Sequence, residues 1–133
     1  MASNCFNRMV LASPRRLVLP IATFPGLGLT GASVREAVNN PQAQFDAVAA
    51  LHERYRPPVV LSAMDLSAEA EAFGCTLYLA DNEIPSVTGR LVTSLEQARQ
   101  LPVPQPGDRR TAVYLETVRR LKQLPSRPLV LGG

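Results

Sequence analysis

Residues 59–66 have the sequence VVLSAMDL, an apolar run that ends at a charged residue, Asp65. A near-continuous apolar run of this length is typical of a strand buried on both faces, as in parallel sheets covered by helices. A charged side chain is costly in such a core, so Asp65 is expected where the strand leaves it. In parallel α/β folds, sites form at the carboxyl ends of the strands.

Two helices are predicted upstream of this strand. Ser33 and Glu36 form a capping box, which predicts the start of a short helix. Asn40-Pro41 then supplies a new N-cap and a proline at the first helical position, so a second helix is expected to run to about Tyr55. Helices of this kind would cover one face of the strand.

Downstream of the strand, helical and extended patterns alternate. The expected elements are a short helix over residues 67–73, a small hairpin arm from residues 76–79 and 85–88, a helix that begins after Ser94, a helix from about residue 110 to 124, and a buried strand over residues 128–131. Strands separated by helices predict βα units and a parallel sheet.

The first part of the chain carries weaker signals. We expect an irregular lead-in over residues 1–15, a strand over residues 17–21 despite Pro20, and a glycine-rich loop over residues 24–31. A (β/α)8 TIM barrel needs ~250 residues. If the predicted βα units belong to such a barrel, the 133 residues supply only its first few units with a β-hairpin arm, as a truncated α/β fold. The alternative is a non-catalytic, truncated α/β module, and in either case the exposed strand edges could mediate self-association.

Gly26, Gly28 and Gly31 match the spacing of the dinucleotide-binding fingerprint, and Glu53 lies near the customary acidic position. The context argues against nucleotide binding. Glu53 falls inside a helical pattern rather than at the end of a second strand, and the helix start signal follows the third glycine. We interpret the glycines as a flexible loop.

The formal charge of +3 and the scarcity of clustered basic residues argue against a nucleic-acid partner. The nearest approach to a basic cluster lies on and around one predicted helix and is interpreted as a solvated face: Arg109, Arg110, Arg119, Arg120 and Lys122. No apolar run approaches the ~20 residues that a membrane span needs.

Cys5 and Cys75 are far apart, and His52 has no partner at ligand spacing, so no metal or cofactor is expected in this chain. Two isolated cysteines in a protein of this size fit a reducing cytoplasm better than a disulfide scaffold.

Three carboxylates follow the strand that is predicted at residues 59–63. We expect the Asp65 carboxylate to point toward the barrel axis instead of packing against a covering helix, and we take Asp65 as the candidate catalytic residue. Glu69 and Glu71 follow in the first turns of the next helix, where the helix dipole favours carboxylates, and are weaker candidates for substrate binding. Since they are two residues apart, they do not share a helix face.

The segment LSAMDLSAEAEAFGCTLYLADNEIPSV, residues 61–87, resembles the strand, aspartate, helix and hairpin of uroporphyrinogen decarboxylases and of the related methylcobamide:coenzyme M methyltransferases. The flanking stretches at residues 19–44 and 95–123 are similar to the same family in their order of elements. The resemblance implies that residues 16–133 form the N-terminal part of a barrel domain of the uroporphyrinogen decarboxylase (URO-D) type.

By this resemblance, Asp65 corresponds to the decarboxylase aspartate that holds the pyrrole N–H groups of the substrate. The decarboxylases also bind substrate carboxylates through an arginine-rich motif in the opening loop, whereas this sequence has no arginine between Arg16 and Arg35. The AEAEAFG portion, residues 68–74, is most similar to the methyltransferases.

The resemblance therefore favours a corrinoid-linked methyltransferase, with a decarboxylase of porphyrin and heme biosynthesis as the alternative. It implies zinc and a corrinoid protein for the whole methyltransferase, and a tetrapyrrole or a methyl-corrinoid protein as the partner.

Overall fold

The computed structural model describes residues 2–132, with side chains from Phe6 onward. The elements are α1 (Ala2–Ala12), a 3-10 turn (Phe24–Gly26), α2 (Leu27–Thr30), α3 (Val34–Asn39), α4 (Pro41–Tyr55), β1 (Val59–Leu61), α5 (Ala68–Ala72), β2 (Thr76–Tyr78), β3 (Ser86–Thr88), α6 (Leu95–Gln100), α7 (Thr111–Leu121) and β4 (Leu129–Leu131). None of the described helices is both long and apolar enough to cross a membrane.

A parallel strand pair lies at the centre of the fold. β1 and β4 run in the same direction, with Val60 opposite Val130. The helices α4 and α7 pack against each other and against this pair. Val48 of α4, Val60 and Leu121 of α7 are buried together, with Val130 packed against them. The predicted α/β fold, its buried strand and the parallel pairing are confirmed, and the arrangement is that of a partial barrel.

The predicted caps place the helices that flank β1. The Ser33 hydroxyl accepts a hydrogen bond from the Glu36 N–H at 3.1 Å, and Asn40 Oδ1 accepts one from the Gln42 N–H at 2.8 Å. Ser33 caps the start of α3, and Asn40, which is extended at φ −130° and ψ 114°, both ends α3 and caps α4, so the chain changes direction there. This turn brings Ala37 of α3 and Ala47 of α4 into one buried cluster with Leu27.

Gln44 links this helical pair to the end of β1. Its side chain is fully buried, and its Nε2 donates to the Ala37 carbonyl at 3.1 Å. Its Oε1 accepts from the Ala63 N–H at 3.4 Å. A buried amide with both ends paired fixes the position of α4 relative to the segment that leaves the strand.

The predicted hairpin arm is confirmed. β2 and β3 pair antiparallel, with Leu77 opposite Val87. The loop between them is fastened to α3, since the Arg35 guanidinium lies 2.8 Å from the Asp81 carboxylate and also donates to the Leu79 carbonyl. Both charged side chains are more than half exposed, so this fastening contributes little stability by itself.

The first part of the chain departs from the sequence predictions. The irregular lead-in expected over residues 1–15 was wrong, because residues 2–12 form α1. Phe6, Met9 and Val10 follow helical spacing, a signal that the interpretation overlooked. The strand expected over residues 17–21 was also wrong: these residues are irregular, Pro20 offers no N–H to a sheet, and Val18 and Ile21 are exposed.

The loop expected over residues 24–31 is mostly helical, formed by the 3-10 turn and α2, with Gly31 as a left-handed C-cap at φ 79°. Since no strand precedes these glycines within the described residues 13–23, the context of a dinucleotide fingerprint is missing.

Gly26 has a packing role instead. A Cβ atom on Gly26 would lie 2.2 Å from the Ala47 carbonyl oxygen and 2.7 Å from its carbon, whereas a Cβ atom on Gly28 would meet no atom within 4 Å. Only glycine therefore allows the 3-10 turn to touch the backbone of α4.

We expect Gly26→Ala to lower the free energy of unfolding by about 1–3 kcal/mol, because backbone atoms must move to admit the methyl group. The matched control, Gly28→Ala, adds the same methyl group in open space within a helix and should be neutral or stabilising by up to about 1 kcal/mol. Urea denaturation followed by circular dichroism measures both. Equal midpoints for the two variants would contradict the close approach of the turn to α4.

Candidate functional site

Asp65 lies just after β1, and its side chain is completely enclosed. One carboxylate oxygen, Oδ1, accepts hydrogen bonds from the Ser67 N–H at 2.9 Å and from the Ser67 hydroxyl at 2.5 Å. The segment that leaves the strand is thereby folded back on itself at the entry to α5. These two bonds occupy the oxygen that faces α5.

The second oxygen of Asp65 is bound by α7. Arg110, at the start of this helix, places Nη1 2.5 Å from Asp65 Oδ2, and the Tyr114 hydroxyl donates to the same oxygen at 2.7 Å. Arg110 also donates through Nη2 to the Ser67 hydroxyl at 2.9 Å and through Nε to Glu71 at 2.6 Å. We call these five residues the Asp65 cluster.

The buried charges of the Asp65 cluster are paired with each other. Arg110 is only 6% exposed, so its charge and that of Asp65 are held out of water. Every polar atom of the Asp65 carboxylate and three nitrogens of the guanidinium are paired. A cluster with this degree of pairing is rigid, and removal of one partner leaves the others unpaired.

The pairing decides the charge states. Burial raises the pKa of Asp65, but hydrogen bonds from Ser67, Tyr114 and Arg110 outweigh it and hold the pKa below its usual value. Burial works against the charge of Arg110, and its hydrogen bond and ion pair with Asp65 more than compensate, so its pKa is raised. Burial and the hydrogen bond to Asp65 raise the pKa of Tyr114, which stays a protonated donor.

The expected orientation of Asp65 was wrong. The carboxylate packs against the covering helix α7 instead of pointing toward the barrel axis, because Arg110 and Tyr114 supply donors on that side. Its catalytic role stays a prediction. The two glutamates are separated as expected: Glu71 turns toward Arg110 with its side chain 20% exposed, whereas Glu69 is exposed.

Arg110 is the residue that the sequence interpretation missed, since it was assigned to a solvated basic face. A signal was present in the helix register. Arg110, Tyr114, Thr117 and Leu121 are spaced by four, three and four residues, which places them on one helix face. Thr117 and Leu121 are fully buried, so the arginine on the same face needed a buried carboxylate partner.

Two clefts open at the carboxyl end of β1, each of about 360 Å³. The first lies toward α7 and is lined by Glu69, Pro106 and Leu115 among others. The second lies toward the opening segment and the hairpin arm and is lined by Ile21 and Ile84 among others. Both clefts share Met64 and Leu66. Among the residues whose side chains are described, no arginine or lysine lines either cleft.

The residue types that bind metals are dispersed. Within residues 2–132, no group of three or more histidine, cysteine or acidic side chains could hold a metal ion. His52 binds the Ser126 hydroxyl at 2.8 Å near the amino ends of β1 and β4, away from the two clefts. Cys75 is a free thiol. The side chains described here therefore do not fit a zinc site, and no chemical step is assigned to a metal held by them.

Comparison with known families gives one match over most of the chain. The family model described as uroporphyrinogen decarboxylase (URO-D) matches residues 28–133. The chain belongs to the uroporphyrinogen decarboxylase family. The family that the sequence resembles is therefore confirmed, and the position of the parallel strands agrees with the N-terminal units of its barrel.

A solved structure shares the fold. A methyltransferase from Methanosarcina mazei superimposes with a TM-score of 0.77 at 25% sequence identity, over 91% of this chain. The chain spans 37% of the length of that methyltransferase. No match was found among curated proteins.

The buried ion pair leads to a stability prediction. We expect Arg110→Met to lower the free energy of unfolding by about 3–5 kcal/mol, because Asp65 keeps its charge without a cation. The control is Arg119→Met, since Arg119 is 73% exposed and lies 3.6 Å from Glu116, so its loss should cost at most about 1 kcal/mol. Chemical denaturation of both variants measures the difference. Similar losses would show that the Asp65 pair is solvated.

The lowered pKa of Asp65 predicts how stability depends on pH. Since the folded-state pKa lies below the unfolded value of about 3.9, the contribution of Asp65 is complete above that value and is lost as pH falls through the folded pKa. The free energy of unfolding of Asp65→Asn should therefore fall furthest below that of the parent protein at about pH 7. This difference should become smaller toward about pH 2. Urea titrations across this pH range measure the difference in free energy of unfolding. A difference that grows on acidification would show that folding raises the pKa of Asp65 instead of lowering it.

Proposed function

We propose that this chain is the N-terminal part of a corrinoid-linked, methylcobamide-dependent methyltransferase of the uroporphyrinogen decarboxylase family, working in the cytoplasm. The observation that carries the proposal is the character of the two clefts at the carboxyl end of β1. They are largely apolar, and the described side chains that line them include no cation.

Charge complementarity favours this reaction over decarboxylation. A uroporphyrinogen is a polycarboxylate, and a site for it needs guanidinium or ammonium groups at its mouth. Residues 17–34 contain no arginine or lysine. The buried guanidinium near the clefts, that of Arg110, is already bound by Asp65, Glu71 and Ser67. The ring of a methylcorrin, in contrast, offers apolar faces and amide groups, which suit the exposed Met64, Leu66 and Ile84.

Asp65 is poorly placed for the role of the decarboxylase aspartate. A carboxylate that receives pyrrole N–H groups needs free lone pairs, and Asp65 already accepts four hydrogen bonds from Ser67, Arg110 and Tyr114. This saturation also supports the methyltransferase over the decarboxylase. Asp65 and Glu69 both line the cleft next to α7, and Glu69 is the one whose side chain is exposed there, so it can accept a hydrogen bond from a bound substrate.

The whole methyltransferase is proposed to hold zinc and to act on a methyl-corrinoid protein. Zinc, when bound, lowers the pKa of a thiol and so supplies a thiolate nucleophile. The part of the site formed here contributes the apolar surface on which the methyl donor rests, and that surface excludes water from it. Exclusion of water preserves a thiolate's reactivity and prevents competing protonation.

The proposal is tested with the full-length product of the gene. With methylcobalamin and a thiol such as coenzyme M, we expect demethylation that is visible as a change in the corrinoid absorbance and that depends on both enzyme and thiol. The parallel assay offers uroporphyrinogen and follows loss of carboxylate groups by chromatography, where we expect no turnover. Decarboxylation without methyl transfer would reverse the assignment in favour of the decarboxylase.

A further inference from the structure

The segment Met64-Asp65-Leu66 divides its side chains between two directions. Asp65 points inward and is completely enclosed by α5 and α7. Met64 and Leu66 point outward and are 45% and 86% exposed. Leu66 lies in the turn that the Ala68 N–H closes onto the Asp65 carbonyl at 3.3 Å, and Asp65 anchors this turn, so its fixed position also fixes the backbone that carries both neighbours.

Met64 and Leu66 are the residues that the two clefts share. One cleft lies toward Glu69 and α7, and the other lies toward Ile21 and Ile84. The pair therefore forms the ridge between the two clefts. Leu66 is 86% exposed on this ridge at the carboxyl end of a buried strand, which is where α/β barrels bind their ligands.

We infer that Asp65 is a positioning residue, and that Met64 and Leu66 are the residues that contact the methyl donor and determine its fit. The inference rests on the proposed function for the identity of that ligand. Arg110 holds the Asp65 carboxylate from the far side, and Ser67 closes the turn after it. Arg110 thus acts on the ridge through Asp65 and through the Ser67 hydroxyl, since its guanidinium is buried and bound within the Asp65 cluster.

A double-mutant cycle separates positioning from direct contact. In the full-length protein, Asp65→Asn and Arg110→Met should each raise KM for methylcobalamin about tenfold with a smaller change in kcat, and the double variant should be no worse than either single variant. The double variant removes both buried charges together, so it is the variant that keeps its fold if a single change is too destabilising.

Truncation of the ridge tests the second half of the inference. Leu66→Ala should raise KM for methylcobalamin by at least about tenfold and leave the unfolding midpoint unchanged. The matched control is Leu95→Ala, because Leu95 is also a largely exposed leucine, 68% accessible, but lies on α6. Leu95→Ala should leave both KM for methylcobalamin and the unfolding midpoint unchanged.

A second readout does not depend on the reaction. The Ser67 N–H donates to Asp65 Oδ1, so hydrogen exchange at this amide should accelerate in both Asp65→Asn and Arg110→Met, and by more than at the buried Gln44 amide, which reports the general loss of stability. If the parent protein transfers no methyl group, the proposed function fails, and the exchange rates alone decide whether Arg110 positions the segment. The inference is overturned if Arg110→Met leaves KM and Ser67 exchange unchanged, or if folded Asp65→Asn loses turnover that Arg110→Met retains.

Discussion

The ion pair between Asp65 and Arg110 joins two parts of the chain that are 45 residues apart. Asp65 lies where the chain leaves β1, and Arg110 lies at the start of α7, which covers this strand. Because both charges are withdrawn from water, the pair tolerates little displacement: a shift of either element would expose a charge to an apolar core without its partner. The spacing of β1, α5 and α7 therefore depends on this contact, while the apolar cluster of Val48, Val60 and Leu121 supplies the burial that holds the layers together.

Local signals in the sequence predicted most of the elements. The caps at Ser33 and Asn40 and the apolar run at residues 59–63 act over a few residues, and their outcome hardly depends on distant parts of the chain. The orientation of Asp65 could not be predicted in this way, because it depends on which donor reaches it from α7. Arg110 would have been recognised only by combining the helix register with the rule that a buried cation needs a carboxylate. The strand predicted at residues 17–21 was wrong because a local signal was misleading: the composition is apolar like that of a strand, but Pro20 prevents sheet pairing.

The location of Asp65 does not by itself decide what its carboxylate does. Asp65 lies directly after a buried strand, where the sequence resemblance matched it to the decarboxylase aspartate, and its lone pairs are occupied by the protein itself. Whether a carboxylate at this location anchors the protein or binds a ligand depends on the donors around it. Here the donors are Ser67, Arg110 and Tyr114, and the surface of the two adjacent clefts is largely apolar.

The two sides of the cleft that contains Ile21 and Ile84 are held with different strength. The Met64 and Leu66 side is tied to a buried charge pair, which ions in solution reach poorly. The Ile84 side belongs to the hairpin arm, which is fastened by the exposed contact between Arg35 and Asp81. Dissolved salt weakens the second contact far more than the first. Added salt therefore weakens the charged contact of the arm, while the hydrogen bonds from Arg35 to the Leu79 and Asp81 backbone carbonyls still hold the arm to α3.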